Sequence, residues 1–366
     1  HTIRAVFAIE QFSITASSGF NGSTAPSGPV NMTFGSSQTF TFASATGYHL
    51  DSLVVDGVNV ALASSYTFTG VTASHTIHVA FAIDQFTIIA SSGANGTISP
   101  SGVVGASSGG SQTFIFTPAT GYHFDSLVVD GVNEPLAGSY SFTGILANHT
   151  IRVAFAIDQL TISASSVANG TISPTGSVLV NYGGTQAFTF TPATGHHLDS
   201  LVVDGVDQTL AGSYTFSGVT ANHTIRVAFA IDQFTLTTSA GANGSISPTG
   251  PVTVSYGGTQ TFTFTPAANF HVDSVLVDGV NQLVAVSYTF TSVAANHSIR
   301  VVFAINQFTI SSSSGTNGSI SPAGSVIVSY GGSQTFTFTP AVGHHVDSVV
   351  VDDVSQPVAS SFTLTN

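Results

Sequence analysis

The 366-residue chain has no cysteine, no lysine and no tryptophan, and only 6% of its residues are charged. Without cysteine there are no disulfides and no thiolate metal sites, so each folded part is held by its core and its neighbours. Without lysine there is no lysine–asparagine isopeptide crosslink. The basic residues are Arg4, Arg152, Arg226 and Arg300, against seventeen acidic ones, a formal charge of −13. A chain this poor in cations cannot neutralise a phosphate backbone or hold a polybasic contact with lipid, which excludes nucleic-acid binding and electrostatic membrane attachment. No apolar run approaches the roughly eighteen residues of a membrane-spanning helix. No segment of ten or more residues carries helical periodicity. No signal peptide is visible and the first residue is not Met, so the sequence reads as mature, processed or excerpted.

What is present is apolar and uncharged. Hydrophobic residues make up 42% and Phe occurs 28 times, a content that disordered chains lack. The polar remainder is mostly Ser, Thr, Gly and Asn, which suits an extracellular surface.

Self-similarity organises the chain. A Q-(F/L)-(T/S)-(I/L) motif starts at Gln11, Gln85, Gln159, Gln233 and Gln307, every interval being 74 residues. The repeats are therefore 11–84, 85–158, 159–232, 233–306 and 307–366. Within the third, Leu160, Ile162 and Ala164 alternate with polar residues, and Asn169-Gly170 with the Pro174 region reads as a turn. Val178 and Val180, then Phe188 and Phe190, then Leu201 to Val203, then Tyr214 and Phe216, and finally Ile225, Val227, Phe229 and Ile231 mark further strands. Asp204-Gly205 is a type I′ hairpin signal. The expectation is all-β: a tandem array of small six-stranded sandwich-like or barrel-like repeats, with no helices. About five inward Phe or Tyr per repeat, each contributing roughly 1.5–3 kcal/mol on burial, make a modest core, so contacts between repeats should matter.

The runs ANGTISPTG (168–176), YGGTQTFTFTP (256–266), GYHFDSLVVDG (121–131), SYTFTGVTASHTI (65–77) and RVAFA (152–156) resemble the divergent internalin-type B-repeat, found in tandem on bacterial surface proteins. The likeness spans nearly the whole chain. It implies a secreted or wall-attached spacer, stalk or adhesive element at the cell surface, and no catalytic residues.

Residues 1–10, HTIRAVFAIE, match HTIRVAFAID at 149–158, the last strand of a repeat, and the fifth repeat stops before that strand. Residues 1–10 thus read as an orphan last strand. Two readings stay open. The sequence is a window on a longer array, or Ile3, Ala5, Phe7 and Ile9 form a polymerisation strand that completes the last repeat of the next chain, joining a homopolymer head to tail.

Thirteen histidines raise the question of metals. His49, His123, His197, His271 and His345 each stand two residues before an acid, Asp51, Asp125, Asp199, Asp273 and Asp347. On a strand, positions i and i+2 share a face, so each pair offers two ligands, with His149, His223 or His297 as a third. Two ligands do not make a site, and the plainer reading is a hydrogen-bonded surface pair. Asp56, Asp130, Asp204, Asp278 and Asp352 read as turn residues, and the spacing is not a calcium loop. A Ca2+ ion between repeats is the one cofactor the acidity leaves room for. Sequons at Asn95, Asn169, Asn243 and Asn317 (with Asn21), and at Asn148, Asn222 and Asn296 (with Asn31), are candidate glycan positions, although Asn-Gly is also a turn dipeptide. No nucleophile elbow or carboxylate pair supports an enzyme. The expected role is a structural fibre or stalk, with a repeat adhesin binding glycan or a surface protein as the alternative.

Overall fold

The computed structural model describes residues 1–365. Every regular element in them is a β-strand. The first repeat shows how the sequence produces its unit. Its strands are β1 (Gln11–Ser18), β2 (Gly22–Ala25), β3 (Gly28–Thr33), β4 (Gln38–Ser44), β5 (Tyr48–Val55), β6 (Val58–Asn59), β7 (Ser65–Phe68) and β8 (His75–Ile83). There are eight, not the six expected. The two extra ones are β6 and the short β2, which occupies the stretch read as a turn. Strand order is β3-β1-β8-β5-β6 in one sheet and β2-β4-β7 in the other. All pairings are antiparallel except β1 with β8, which run parallel.

The alternation of apolar and polar residues dictates the packing. On β1, Ile14 and Ala16 are buried while Thr15 and Ser17 face water, because neighbouring side chains point to opposite faces of a strand. The inward residues, Ile14, Ala16, Met32, Phe40, Leu53, Val55, Phe68, Val71, Ile77 and Val79, form one core. Phe40 and Phe68 meet edge-on with ring centroids 6.1 Å apart, a favourable geometry for the ring quadrupoles. The second and fourth repeats build equivalent cores, with Phe114 and Phe142 or Phe262 and Phe290 in the same places.

Three turn features recur. Asp204 and Gly205 both have positive φ, 51° and 78°, as a type I′ hairpin requires. Asn169 has φ 74°, a left-handed turn that Asn tolerates. Its neighbour Gly170 has a separate reason to be glycine: a Cβ there would strike the ring of Phe229 from the last strand, and Gly96 lies under Phe155 in the same way.

The chain divides into two compact units. The first comprises 1–162, 179–186 and 216–222, and contains the first two repeats whole. The second comprises 163–178, 187–215 and 223–366, and contains the last two. The third repeat contributes segments to both and has the same order of strands along the chain.

Two segments depart from the pattern. Residues 1–10, read as an orphan strand, take no strand conformation and are exposed throughout; a β-strand needs a partner strand, and among the described residues none pairs with this segment, although the Glu10 carbonyl accepts from the Phe34 N–H at 3.0 Å. In the fifth repeat the large sheet is in two pieces, Gln307–Ser312 with Gly324–Ser329, and Val349–Val351 with Val354–Gln356. Among the described residues no strand joins the two pieces.

Candidate functional site: the joints between repeats

Each of the first four repeats is hydrogen-bonded to the next at the residue that follows its last strand. At the first joint this is Asp84. Its N–H donates to the Gly47 carbonyl (2.9 Å), and its own carbonyl accepts from the Ser108 N–H of the next repeat (2.8 Å). Its carboxylate accepts a hydrogen bond from His49 Nδ1 at 2.8 Å. The second joint repeats this with Gly121, Asp158, His123 and Tyr182, and the third with Gly195, Asp232, His197 and Tyr256. The joint glycines lie at positive φ, 79° for Gly121 and 73° for Gly195, where an L side chain is strained. They are also close-packed: a Cβ on Gly121 or Gly195 would run into the ring of Tyr182 or Tyr256.

The fourth joint is different. Asn306 replaces the aspartate and accepts from His271 at 3.0 Å. Asn269, with φ 65°, replaces the glycine, and the backbone bonds persist: the Asn306 N–H donates to the Asn269 carbonyl (2.9 Å) and the Asn306 carbonyl accepts from the Tyr330 N–H (2.8 Å). Tyr330 is 43% exposed, whereas Tyr182 and Tyr256 are half-buried.

This geometry answers the histidine question. His49, His123 and His197 pair with an aspartate 35 residues later, and do not hydrogen-bond Asp51, Asp125 or Asp199. Strand β5 carries a bulge between Leu50 and Ser52, so Asp51 is the extra, unpaired residue, and the same bulge recurs at Asp125, Asp199 and Asp273. The i, i+2 rule fails where a strand bulges. His345 and Asp347 fall outside any strand. The histidines considered as third ligands are engaged elsewhere. His149 Nδ1 lies 2.6 Å from Asp130, His223 from Asp204 and His297 from Asp278 at the same distance. Among the described residues, no group of three or more His, Asp or Glu is placed to hold a metal ion.

These second pairs clasp the last strand inside each of the first four repeats. Asp56, at the tip of the hairpin, accepts from His75 Nδ1 at 2.6 Å and from the Thr76 N–H at 2.7 Å. The His75 ring lies 4.8 Å from that of Phe68. Partial burial opposes the charge on Asp56, but the Thr76 amide and the hydrogen bond and positive charge of His75 outweigh it and hold the carboxyl below the usual range. Burial is likewise outweighed at Asp130 and Asp204, while at Asp278 the His297 bond is the largest influence. The turn residues of the sequence reading are therefore also anchors for the strand that follows.

The sequon asparagines are all exposed. Asn148, Asn222 and Asn296 have a structural task that spacing did not reveal: their Oδ1 atoms accept the N–H of Thr87, Thr161 and Thr235, 61 residues earlier, at 2.8 Å. The Thr faces of the small sheets are tied by cross-strand hydroxyl bonds, such as Thr261 to Thr289 at 2.9 Å.

Among the described residues the fifth repeat has no counterpart of the last strand His297–Ile305, and the space between its two sheet pieces is about 940 Å³. Ile310, Val328, Phe336, Phe338, Val349 and Leu364 are among the side chains that line it. Ile310 and Phe338 are only half-buried, whereas their counterparts in the fourth repeat, Leu236 and Phe264, are 0% and 4% exposed.

The arrangement of two small sheets repeated at a fixed interval, each coupled through one polar residue to the next, defines a tandem β-repeat protein. The family model of the divergent InlB B-repeat domain matches residues 86–159, 160–233 and 234–307. The chain belongs to the divergent InlB B-repeat family, which suggests a bacterial cell-surface protein. No curated protein matches the sequence. Among solved structures, the chain is similar to the Bacillus anthracis TIE protein at 9% identity, covering 82% of this chain and 75% of that one with a TM-score of 0.36. It is also similar to the N-terminal four Ig domains of Dscam1 isoform 4.44, at 8% identity over 81% of this chain and 98% of that one, with a TM-score of 0.11. The I-band fragment I67–I69 from titin gives 6% identity over 81% and 96%, with a TM-score of 0.10.

Proposed function

We propose that this chain is a non-catalytic structural segment of a bacterial surface stalk or fibre, in which stacked β-repeats hold whatever they carry at a distance. The observation that carries the reading is the recurrence of one joint. The same backbone hydrogen bonds, the same positive-φ glycine and the same His–Asp pair recur at three successive boundaries. A flexible linker would need none of these, and a solenoid-like array is stabilised by just such nearest-neighbour contacts.

Small-angle scattering of the purified chain tests this. A compact globule of 366 residues has a radius of gyration of about 21 Å; a stiff stalk gives roughly twice that, with a rod-like profile. A value near the compact figure would overturn the reading. The alternative is an adhesin that binds glycan or a surface protein through the exposed apolar residues recurring at the hairpins, such as Val132 and Leu136. Binding to a glycan array that is lost on changing these two to Ser would favour it.

A further inference from the structure

We propose that the second repeat carries a site for lateral self-association: the free edge of its large sheet, strand Gly102–Ser107, pairs antiparallel with the same strand of a second copy of this chain. The inference goes beyond the stalk reading and does not depend on it.

Strand Gly102–Ser107 ends its sheet, and among the described residues its partner is Gln85–Ser92, on one side. Backbone alternation fixes which groups point the other way. The Ser108 N–H donates to the Asp84 carbonyl, in line with that partner. Ala106 and Val104 therefore also face the partner, and the N–H and C=O groups of Val103 and Gly105 point outward. Neither strand carries a charged residue. The opposite edge of the same sheet, Val132–Glu134, ends in an acid. Charge and proline are the usual means of keeping sheet edges apart.

The other repeats show how this edge differs. By the 74-residue period, Val103 corresponds to Pro29 in the first repeat and Pro251 in the fourth. Proline has no N–H, so at both places the outward donor is gone while the inner ladder is untouched. Pro29 pairs with Thr15 inside its strand, which shows that the position accepts proline. In the third repeat the residue is Ser177. Of the first four repeats, the second alone combines an outward donor with an exposed apolar pair. Val103, 72% exposed, stands directly across from Ile89, 53% exposed, where the others have Thr15, Ser163 and Thr237.

Outward N–H and C=O groups on alternate residues are completed by another strand, and this strand is its own complement. A twofold axis at Val104 sets Val103 of each copy opposite Gly105 of the other, so every outward N–H meets an outward C=O. The space around Gly105 is open, and the two Val103 side chains meet diagonally across the seam. Two copies, each with a formal charge of −13, repel over most of their surface; this charge-free edge is a place where they touch without opposing like charges. The Ser107 carbonyl is taken by the Gly110 N–H at 2.9 Å, which confines the new ladder to Val103 and Gly105. So short a contact gives a dissociation constant on the order of 10–100 µM, which suits chains already crowded side by side.

The test is sedimentation equilibrium of the 366-residue chain up to about 500 µM, beside Val103→Pro and Val103→Lys. Proline keeps the surface apolar and removes the donor, so its effect reports strand pairing rather than stickiness. The expected result is a monomer–dimer equilibrium for the unaltered chain, weakened at least about tenfold in both variants, with the thermal unfolding midpoint unchanged. If Val103→Pro lowers that midpoint, Val103→Lys decides alone. An unaltered chain that stays monomeric over the whole range, or a dimer that a correctly folded variant leaves at full strength, overturns the proposal.

Discussion

Thr24 offers a quantitative check on how the cores are built. In the second, third and fourth repeats its position is Ile98, Ile172 and Ile246, at 5%, 3% and 3% exposure. Thr24 is buried to 6%, and its hydroxyl oxygen has no hydrogen-bond partner. A buried hydroxyl without a partner costs roughly 1–3 kcal/mol. Replacing it with the ethyl group of isoleucine removes that cost and adds burial worth about 0.8 kcal/mol per methylene. Phe42, paired with Thr24 across the sheet, is only half-buried, whereas its counterparts Phe116 and Phe264 are 4% exposed, so the added carbon has a ring to cover. Thr24→Ile should therefore stabilise the first repeat by about 2 kcal/mol. Repeats open separately, so the assay is hydrogen exchange read by mass spectrometry on peptides from residues 11–44, where slowing of roughly thirtyfold is expected. Ile98→Thr should produce the mirror-image loss in residues 85–118. Unchanged or faster exchange in Thr24→Ile would refute the reasoning, by showing that the hydroxyl is satisfied or the space too small.

Two further perturbations probe the clasps and the joints. The carboxyl groups of Asp56, Asp130, Asp204 and Asp278 sit below their ordinary pKa in the folded chain, so their contribution is present above about pH 3.9, the unfolded value, and disappears as pH falls through the folded value. The denaturant midpoint should drop with acid in that window, and Asp130→Asn should flatten the drop for the second repeat; a midpoint that rises with acid would contradict the assignment. Gly121→Ala should destabilise the second joint by about 1–2 kcal/mol, combining positive-φ strain with the clash against Tyr182. Gly138→Ala, at ordinary φ with open space around it, should be neutral; equal effects of the two in thermal unfolding would show that the joint geometry is immaterial.

The repeat, its period and most of its strands were legible in the sequence because strict two-residue alternation survives in every copy and Asn-Gly and Asp-Gly mark the turns. The short strand Gly22–Ala25 was not, since four residues between a turn dipeptide and a proline carry almost no alternation. Nor were the partners of the histidines. A bulge displaces Asp51, and the true partner, Asp84, is 35 residues away; its trace is the polar residue before the Gln that opens the second to fifth repeats, namely Asp84, Asp158, Asp232 and Asn306. Asn148 read as a sequon, and its bond to Thr87 61 residues earlier follows from the parallel pairing of first and last strands, which no local pattern reveals.

The absence of cysteine lets the central claim, that one stiff joint recurs along the chain, be measured directly. Ala63, Ala137, Ala211, Ala285 and Ala359 are exposed and occupy the same place in successive repeats. Spin labels on introduced cysteine pairs, Ala63→Cys with Ala137→Cys, Ala211→Cys with Ala285→Cys, and Ala285→Cys with Ala359→Cys, report the first, third and fourth joints by electron–electron double resonance. The account predicts one narrow distance, the same at the first and third joints, and a broader distribution at the fourth, where asparagines replace the glycine and the aspartate. Broad distributions at all three would mean that the repeats are tethered rather than docked, and would contradict it.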